Sequence, residues 1–272
     1  VAKKLGIPLV ISLHTNYDQQ RVITRNPKNL FKFFKLWYIS KRIEKYVLMN
    51  ADVVICSYKF LVPYAKRNKA KNIHVIYNKV FLSQFSSDNE KMIKSDIPII
   101  LSVGRLIDQK NHSFLIQAIK DLDVKLLIIG DGPNYEKLLS LAKSIGVTNQ
   151  VSILRKIPNE KISGYYLSSH IYAQSLENLG GVSIPTLEAM ACGLPVVLSK
   201  RDSDYSEEID EAVYFVDNNP KSFHDAFKKI ISNDVLRQSL VTKSLEIAKK
   251  IDGKIMEKKE IKIYSNLIPE RT

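Results

Sequence analysis

The chain has 272 residues, of which 45% are hydrophobic and 25% charged, a composition typical of a globular protein with one or two domains. No apolar run reaches the roughly 20 residues that a membrane-spanning helix needs, and no signal peptide precedes the first strand-like stretch. The missing initiator Met favours a chain that begins inside a longer protein. Cys56 and Cys192 both lie in apolar surroundings, which favours reduced core residues and a cytoplasmic location.

The net charge of +13 is concentrated in the first third of the chain. Residues 1–85 contain sixteen Lys and Arg but only three acids, whereas residues 86–272 contain 25 of each sign. This asymmetry indicates two regions with different roles.

The first 85 residues are predicted to form an incomplete Rossmann-like domain. A long helix over 26–50 follows the first of three short apolar runs, each of which has the composition of a strand. Three strands are fewer than an independent doubly wound domain usually contains. The polar stretch 83–96 is predicted to be a linker. The three strands are predicted at 7–15, 51–58 and 72–78.

From residue 97 onward, apolar strands alternate with amphipathic helices, which predicts a parallel sheet covered on both faces. We assign residues 86–250 to this second Rossmann-like domain and 251–272 to a C-terminal helix that could pack back on the first domain. Strands are predicted at 97–104, 124–130, 151–154, 170–174, 194–199 and 212–217, and helices at 111–122, 134–146, 159–168, 182–192 and from 220.

Ligands of such sheets bind beyond the carboxyl ends of the strands, so the loops there are the candidate site. Gly104 turns the chain off a strand, and Arg105 and Lys110 follow just before a helix. Two cations near a helix N-terminus suit a diphosphate, although they could also be ordinary solvated loop residues. The second loop, "GDGP" at 130–133, either cradles a phosphate or simply ends a strand and caps a helix.

A third loop contains Gly180, Gly181 and Val182, whose backbone N–H groups could bind a phosphate or a sugar hydroxyl. Glu188 follows on a helix, where its carboxylate could accept two hydrogen bonds from a ribose diol or could serve only in packing. The sequence contains no His-x-x-x-His or Cys-x-x-Cys pattern and no Gly-x-Gly-x-x-Gly after a strand. Neither a metal site nor an NAD site is therefore predicted.

Taken together, these stretches resemble the retaining glycosyltransferases of the GT-B fold, in particular glycosyltransferase family 4. The resemblance covers about 97–200, and the N-terminal part matches more loosely, with Lys79 where the family usually has glycine. It implies two Rossmann-like domains facing a cleft, the N-terminal one only partly present. The matching stretches are "ILSVGRLIDQKNHSFLIQAI", "KLLIIGDGPNYEKL", "VSILRKIPNEKISGYYLSSHIYAQSL" and "PTLEAMACGLPVV".

The resemblance also implies residue roles. Arg105 and Lys110 would hold the donor diphosphate and neutralise its charge as it leaves, without a metal or another cofactor. His14, from the other domain, would bind the donor sugar. The remaining contacts to the UDP- or GDP-linked donor would come from the Gly104 turn, the backbone around Arg155, Lys156 and Ile157, the amides of Gly180, Gly181 and Val182, and the ribose-binding Glu188.

One departure concerns the first of the family's two glutamates, which are separated by seven residues. Counting back from Glu188 places Gly180 there, and Glu177 lies three residues too early. Either a three-residue insertion returns Glu177 to the site, or backbone amides replace it.

The 26–50 helix interleaves cations with aromatic residues, a pattern that can lie on an anionic membrane. Packing of its aromatic face on the sheet and nucleic-acid binding are the alternatives. The candidate membrane contacts are Lys28, Lys32, Lys35, Trp37, Lys41 and Arg42.

The leading hypothesis is a cytoplasmic glycosyltransferase that acts peripherally at the inner face of the plasma membrane. It would move a sugar, with retention of configuration, to a saccharide or lipid-linked acceptor in surface polysaccharide or glycolipid synthesis. The alternative is a non-catalytic fragment or pseudoenzyme that binds a nucleotide sugar and acts through a partner.

Overall fold

The computed structural model describes residues 2–15, 30–85, 90–175, 182–201 and 206–268, with the side chains of 2–3 and 30–37 left out of the description. The chain divides into two compact units. The first comprises Val1–Lys79, Ser203–Glu207 and Lys254–Thr272, and the second comprises Val80–Asp202 and Glu208–Gly253.

The first unit contains a three-stranded parallel sheet in the order β1-β2-β3. The central strand β2 is buried, with β1 and β3 paired on either side of it and helix α2 packed against it. The strands are β1 (Val10–Leu13), β2 (Val53–Cys56) and β3 (Ile73–Val75), and the helices are α1 (Leu30–Asn50) and α2 (Leu61–Arg67).

A buried carboxylate organises the start of α2. Glu207 is 2% exposed and accepts hydrogen bonds from the backbone N–H groups of Lys59 (3.1 Å) and Phe60 (3.0 Å) and from the Tyr77 hydroxyl (2.9 Å). A carboxylate is stabilised there, because helix N-terminal N–H groups lack partners within the helix and carry partial positive charge.

The second unit contains a six-stranded parallel sheet in the order β6-β5-β4-β7-β8-β9. Every neighbouring pair is parallel, as the alternation of strands and helices predicts, so the predicted α/β class with parallel sheets is confirmed. The strands are β4 (Ile99–Val103), β5 (Lys125–Ile129), β6 (Val151–Leu154), β7 (Ile171–Gln174), β8 (Val196–Ser199) and β9 (Val213–Val216).

Helices cover both faces of this sheet and bury its apolar runs. Ile100, Ile128 and Val197 from the strands are fully buried in one cluster with Phe223 and Phe227. The helices of this unit are α3 (His112–Ala118), α4 (Tyr135–Ser144), α5 (Ile162–Leu167), α6 (Ile184–Ala191), α7 (Pro220–Ser232) and α8 (Asp234–Lys250), and the next helix, α9 (Gly253–Ser265), belongs from Lys254 onward to the first unit. None of the helices in the described ranges is long and apolar enough to cross a membrane.

Two segments outside the sheets have definite contacts. Part of the predicted linker packs on α5, where the Met92 N–H donates to the Gly164 carbonyl (3.2 Å). Lys79, which stands where the family usually has glycine, forms an ion pair of 2.7 Å with Glu260 on α9. The C-terminal helix therefore contacts the segment that follows β3, and both belong to the first unit.

Candidate functional site: the cation loop of the larger sheet

The described candidate donor residues lie on the loops and helices that follow β4, β6 and β7 in the larger sheet. Because the strands are parallel, their carboxyl ends lie at one edge, where ligands of such sheets bind. Glu177, Gly180 and Gly181 lie outside the described residues.

The loop that follows β4 contains two cations, Arg105 and Lys110, and we call it the cation loop. The Lys110 side chain runs beside Gly104, with its Cδ and Cε 3.7 Å from where a Cβ on that glycine would lie. Burial lowers the pKa of Lys110, and the charge of Arg105 lowers it further. Within the described residues, neither cation forms an ion pair with a carboxylate. An anion bound here would relieve the repulsion between the two side chains.

The "GDGP" turn packs directly against the cation loop. The backbone N–H of Leu106 donates to the Asp131 carbonyl (2.9 Å), which joins the two loops. A Cβ on Gly130 would overlap the carbonyl oxygen of Gly104, and one on Gly132 would overlap that of Leu106. The glycines are therefore required for close backbone approach, a role that neither sequence alternative anticipated.

His112 lies beneath the same loop. It is 2% exposed, and its Nδ1 lies 3.3 Å from the Ser102 Oγ on β4. Burial is the main reason that the pKa of His112 is lowered to about 4. Hydrogen bonds with backbone groups of Arg105 and Gly104 raise this pKa, and the charge of Lys110 lowers it. The imidazole is therefore neutral at pH 7 and adds no third positive charge beneath Arg105 and Lys110.

Gln174, which the sequence analysis missed, connects the end of the sheet to the start of α6. Its side chain is fully buried. Its Nε2 donates a long hydrogen bond to the Val103 carbonyl (3.4 Å), and its Oε1 accepts from the hydroxyls of Ser183 (2.8 Å) and Thr186 (3.4 Å). A glutamine at the end of the otherwise apolar strand "IYAQ" was the available signal, since buried polar groups need partners.

Glu188 is held on α6 by a tyrosine. Its Oε2 accepts a hydrogen bond of 2.7 Å from the fully buried Tyr166 hydroxyl. Burial raises the pKa of Glu188, and the hydrogen bond from Tyr166 acts in the opposite direction. Oε1 accepts no hydrogen bond from a described residue, so one carboxylate oxygen is oriented by the protein and the other can accept from a ligand. Val182, just before α6, is buried.

The Arg155 side chain is engaged by Asp131 and Tyr135. Its Nε and Nη2 lie 2.9 and 2.8 Å from the Asp131 Oδ1, and its guanidinium stacks 4.7 Å from the centre of the Tyr135 ring. The hydrogen bond from Arg155 lowers the pKa of Asp131. Lys156 is exposed and Ile157 half-buried. A nucleobase contact through the backbone here, as the resemblance implies, is compatible with these bonds.

The residues expected to act from the smaller unit are described separately. His14 is exposed after β1, and its Nδ1 lies 2.8 Å from the hydroxyl of Ser57, which fixes the ring orientation. Its role toward a donor sugar stays a prediction. Among the candidate membrane contacts, Lys28 and the side chains of Lys32, Lys35 and Trp37 lie outside the description, Lys41 is half-buried, and Arg42 is exposed.

In the described ranges, no three His, Cys, Asp or Glu side chains are grouped so that they could hold a metal ion. The expectation of a metal-independent reaction stays a prediction.

Parallel Rossmann-like units with a cation loop after a buried strand are the architecture of the GT-B glycosyltransferases. The sequence profile of the family "Glycosyl transferases group 1" matches residues 83–246. Because this match includes more than half of the chain, the chain belongs to that family, and the resemblance found from the motifs is confirmed.

Individual proteins agree with this assignment. An uncharacterized glycosyltransferase from Methanocaldococcus jannaschii is 27% identical over 97% of the chain and 70% of its own length. The chain spans only 30% and 56% of two further curated relatives.

The fold itself matches solved structures. Sucrose-phosphate synthase from Thermosynechococcus elongatus superposes with a TM-score of 0.79 at 19% identity, covering 98% of this chain and 70% of that one. HepE from Anabaena, in complex with UDP-glucose, gives 0.75 at 16% identity, covering 97% and 74%. At these identities the likeness establishes the GT-B fold alone.

Proposed function

We propose that the chain transfers a sugar from a nucleotide-sugar donor to a saccharide or lipid-linked acceptor, with retention of configuration. The observation that carries the proposal is the cation loop. Arg105 and the partly desolvated Lys110 lie at the carboxyl end of β4, and neither forms an ion pair with a described carboxylate. Such a pair stabilises the negative charge that grows on a departing diphosphate.

The surrounding contacts support a positioned site. The cation loop is held by the close approach of Gly130 and Gly132, and the start of α6 is held by Gln174. Preorganised charges stabilise a transition state more effectively than mobile ones, because they need no reorganisation during the reaction. This arrangement favours an enzyme over a fragment that only binds.

Glu188 is proposed to bind the ribose. Its carboxylate, oriented through Tyr166, matches a diol that donates two hydrogen bonds. We further propose a UDP- or GDP-linked donor, a reaction without metal or cofactor, and a role in surface polysaccharide or glycolipid synthesis at the cytoplasmic side of a membrane. The HepE structure with UDP-glucose is a precedent for a nucleotide sugar in this fold.

The test compares Arg105→Ala with Lys143→Ala, a substitution of an exposed cation on α4. Each variant is titrated calorimetrically with UDP- and GDP-sugars and assayed for transfer. We expect Arg105→Ala to lower kcat/KM about a hundredfold, the usual effect of removing one donor that stabilises transition-state charge. The control is expected to keep wild-type values.

Three outcomes would contradict the proposal in different ways. Unchanged transfer by Arg105→Ala would remove the assigned role of the loop. Donor binding without transfer to any acceptor would favour the pseudoenzyme alternative. Proton NMR of the first product reports the anomeric configuration, and an inverted product would overturn retention.

A further inference from the structure

Helix α1 presents an unusual face to solvent. Seven exposed residues of its described side chains form this surface, which we call the outer face of α1. Five of the seven are large and apolar or aromatic, with Tyr46 65%, Ile43 58% and Tyr38 52% exposed. The outer face consists of Tyr38, Ile39, Arg42, Ile43, Lys45, Tyr46 and Met49.

The opposite side of the helix contains its only acid. Glu44 accepts a hydrogen bond of 2.6 Å from the Tyr64 hydroxyl, and Leu48 beside it is 1% exposed. The outer face therefore contains Arg42 and Lys45 but no carboxylate. Arg42 stacks 4.6 Å from the centre of the Tyr38 ring, so its guanidinium lies over an aromatic member of the outer face.

This distribution reverses the usual one for a surface helix, whose outward side is rich in mixed charges. Single exposed apolar residues are common, but a contiguous apolar patch bordered by charge marks an interaction surface. A second copy of the chain is a poor occupant. Both copies in an isologous contact would bring Arg42 and Lys45 and no carboxylate to the interface, so their like charges would repel.

We propose that the outer face of α1 docks on a bilayer that contains anionic phospholipids. Aliphatic side chains would enter the headgroup–acyl boundary, tyrosines would lie at the interface, and the two cations would contact phosphate groups. The positive charge of the surrounding region also favours an anionic surface, since residues 1–85 contain sixteen cations and three acids. The outer face of α1 shares no residue with the cation loop, and the proposal does not depend on the transfer reaction.

The structure also moves the contact from where the sequence placed it. Of the six residues named from the sequence, only Arg42 is described as exposed, and Lys41 is half-buried. The apolar members Ile39, Ile43 and Tyr46 were not named, because a linear pattern does not show which side of a helix is covered.

The test measures sedimentation of the chain with phosphatidylcholine vesicles and with vesicles that contain 30% phosphatidylglycerol. Wild type is expected to bind the anionic vesicles at least tenfold more tightly. A cation near an anionic surface contributes about 1 kcal/mol, or about fivefold, so Arg42→Gln with Lys45→Gln should weaken binding about thirtyfold. Ile43→Ser with Tyr46→Ser should weaken it about tenfold by removing apolar insertion.

Matched controls separate placement from composition. Lys143→Gln with Lys228→Gln removes the same net charge from exposed positions on α4 and α7, and Val235→Ser with Ile261→Ser replaces exposed apolar residues elsewhere. Both controls should bind like wild type. Equal binding to neutral and anionic vesicles, or an equal loss in the controls, would overturn the proposal.

Folding and self-association are checked on the same samples. Circular dichroism melts should coincide for wild type and the outer-face variants, because the substituted side chains are exposed. Sedimentation velocity without lipid should give monomers throughout. A wild-type dimer abolished by Ile43→Ser with Tyr46→Ser would assign the outer face to a second copy and reject the membrane.

Discussion

The buried His112 predicts a specific loss of stability in acid. Its pKa lies at about 4 in the folded chain, against about 6.5 in an unfolded one. Between these values the unfolded chain binds more protons, so stability falls as the pH is lowered from 6.5 to 4. The side chain contributes no further change below pH 4 or above pH 6.5.

The magnitude follows from the two pKa values. At about 1.4 kcal/mol per pH unit, the full difference is about 3 kcal/mol, of which about 2 kcal/mol is already lost at pH 5. This is a large fraction of the 5–15 kcal/mol that typically stabilises a domain. Burial is the main cause, because the imidazolium would lose its hydration beneath the cation loop.

The assay is urea unfolding of wild type and His112→Gln from pH 7.5 to pH 4.5, followed by circular dichroism. We expect the variant to be about 1 kcal/mol less stable at pH 7.5, because the contact with the Ser102 hydroxyl is lost. At pH 5 the wild type should have lost about 2 kcal/mol more than the variant. Other titrating groups, such as Glu188, are common to both proteins and cancel.

The control is His74→Gln, which changes an exposed histidine on β3 and should follow the wild type at every pH. His112→Met supplies a second neutral side chain in case the glutamine variant does not fold. Parallel pH profiles for wild type and both His112 variants would refute the reasoning, since a buried neutral histidine must produce a difference.

Two further predictions concern residues that support the site. Gly130→Ala should destabilise the chain by about 3 kcal/mol or more, because the new Cβ would overlap the Gly104 carbonyl. The control Gly146→Ala, where the Cβ would lie in open space at φ +79°, should cost about 1 kcal/mol. Equal urea midpoints for the two variants would contradict this prediction. Tyr166→Phe removes the hydrogen bond that lowers the pKa of Glu188, so the carboxylate should become protonated at a higher pH than in wild type. As the pH is lowered, the donor affinity measured by calorimetry should therefore begin to fall earlier in the variant. An unshifted pH profile would show that Glu188 does not bind the ribose.

The sequence by itself determined the fold class and the position of the cation loop. Hydrophobic periodicity is local, so the apolar runs of β4 and β5 and the helix α3 between them could be predicted without any tertiary contact. A glycine at the end of such a run marks the strand end, and the cations after it lie at the ligand-binding edge of any parallel sheet. Arg105 and Lys110 followed from that rule alone.

Only the tertiary structure decided which partners complete the site. Tyr166 and Glu188 are 22 residues apart, and Gln174 and Val103 are 71 apart, and no periodic pattern relates such pairs. The glycines of the "GDGP" turn likewise required knowledge of the loop against which they pack. The outer face of α1 needed the same information, since a helix shows its exposed side only once Glu44 and Leu48 have packed inward. Local periodicity specifies elements, whereas burial and hydrogen-bond partners arise from contacts between residues distant in the chain.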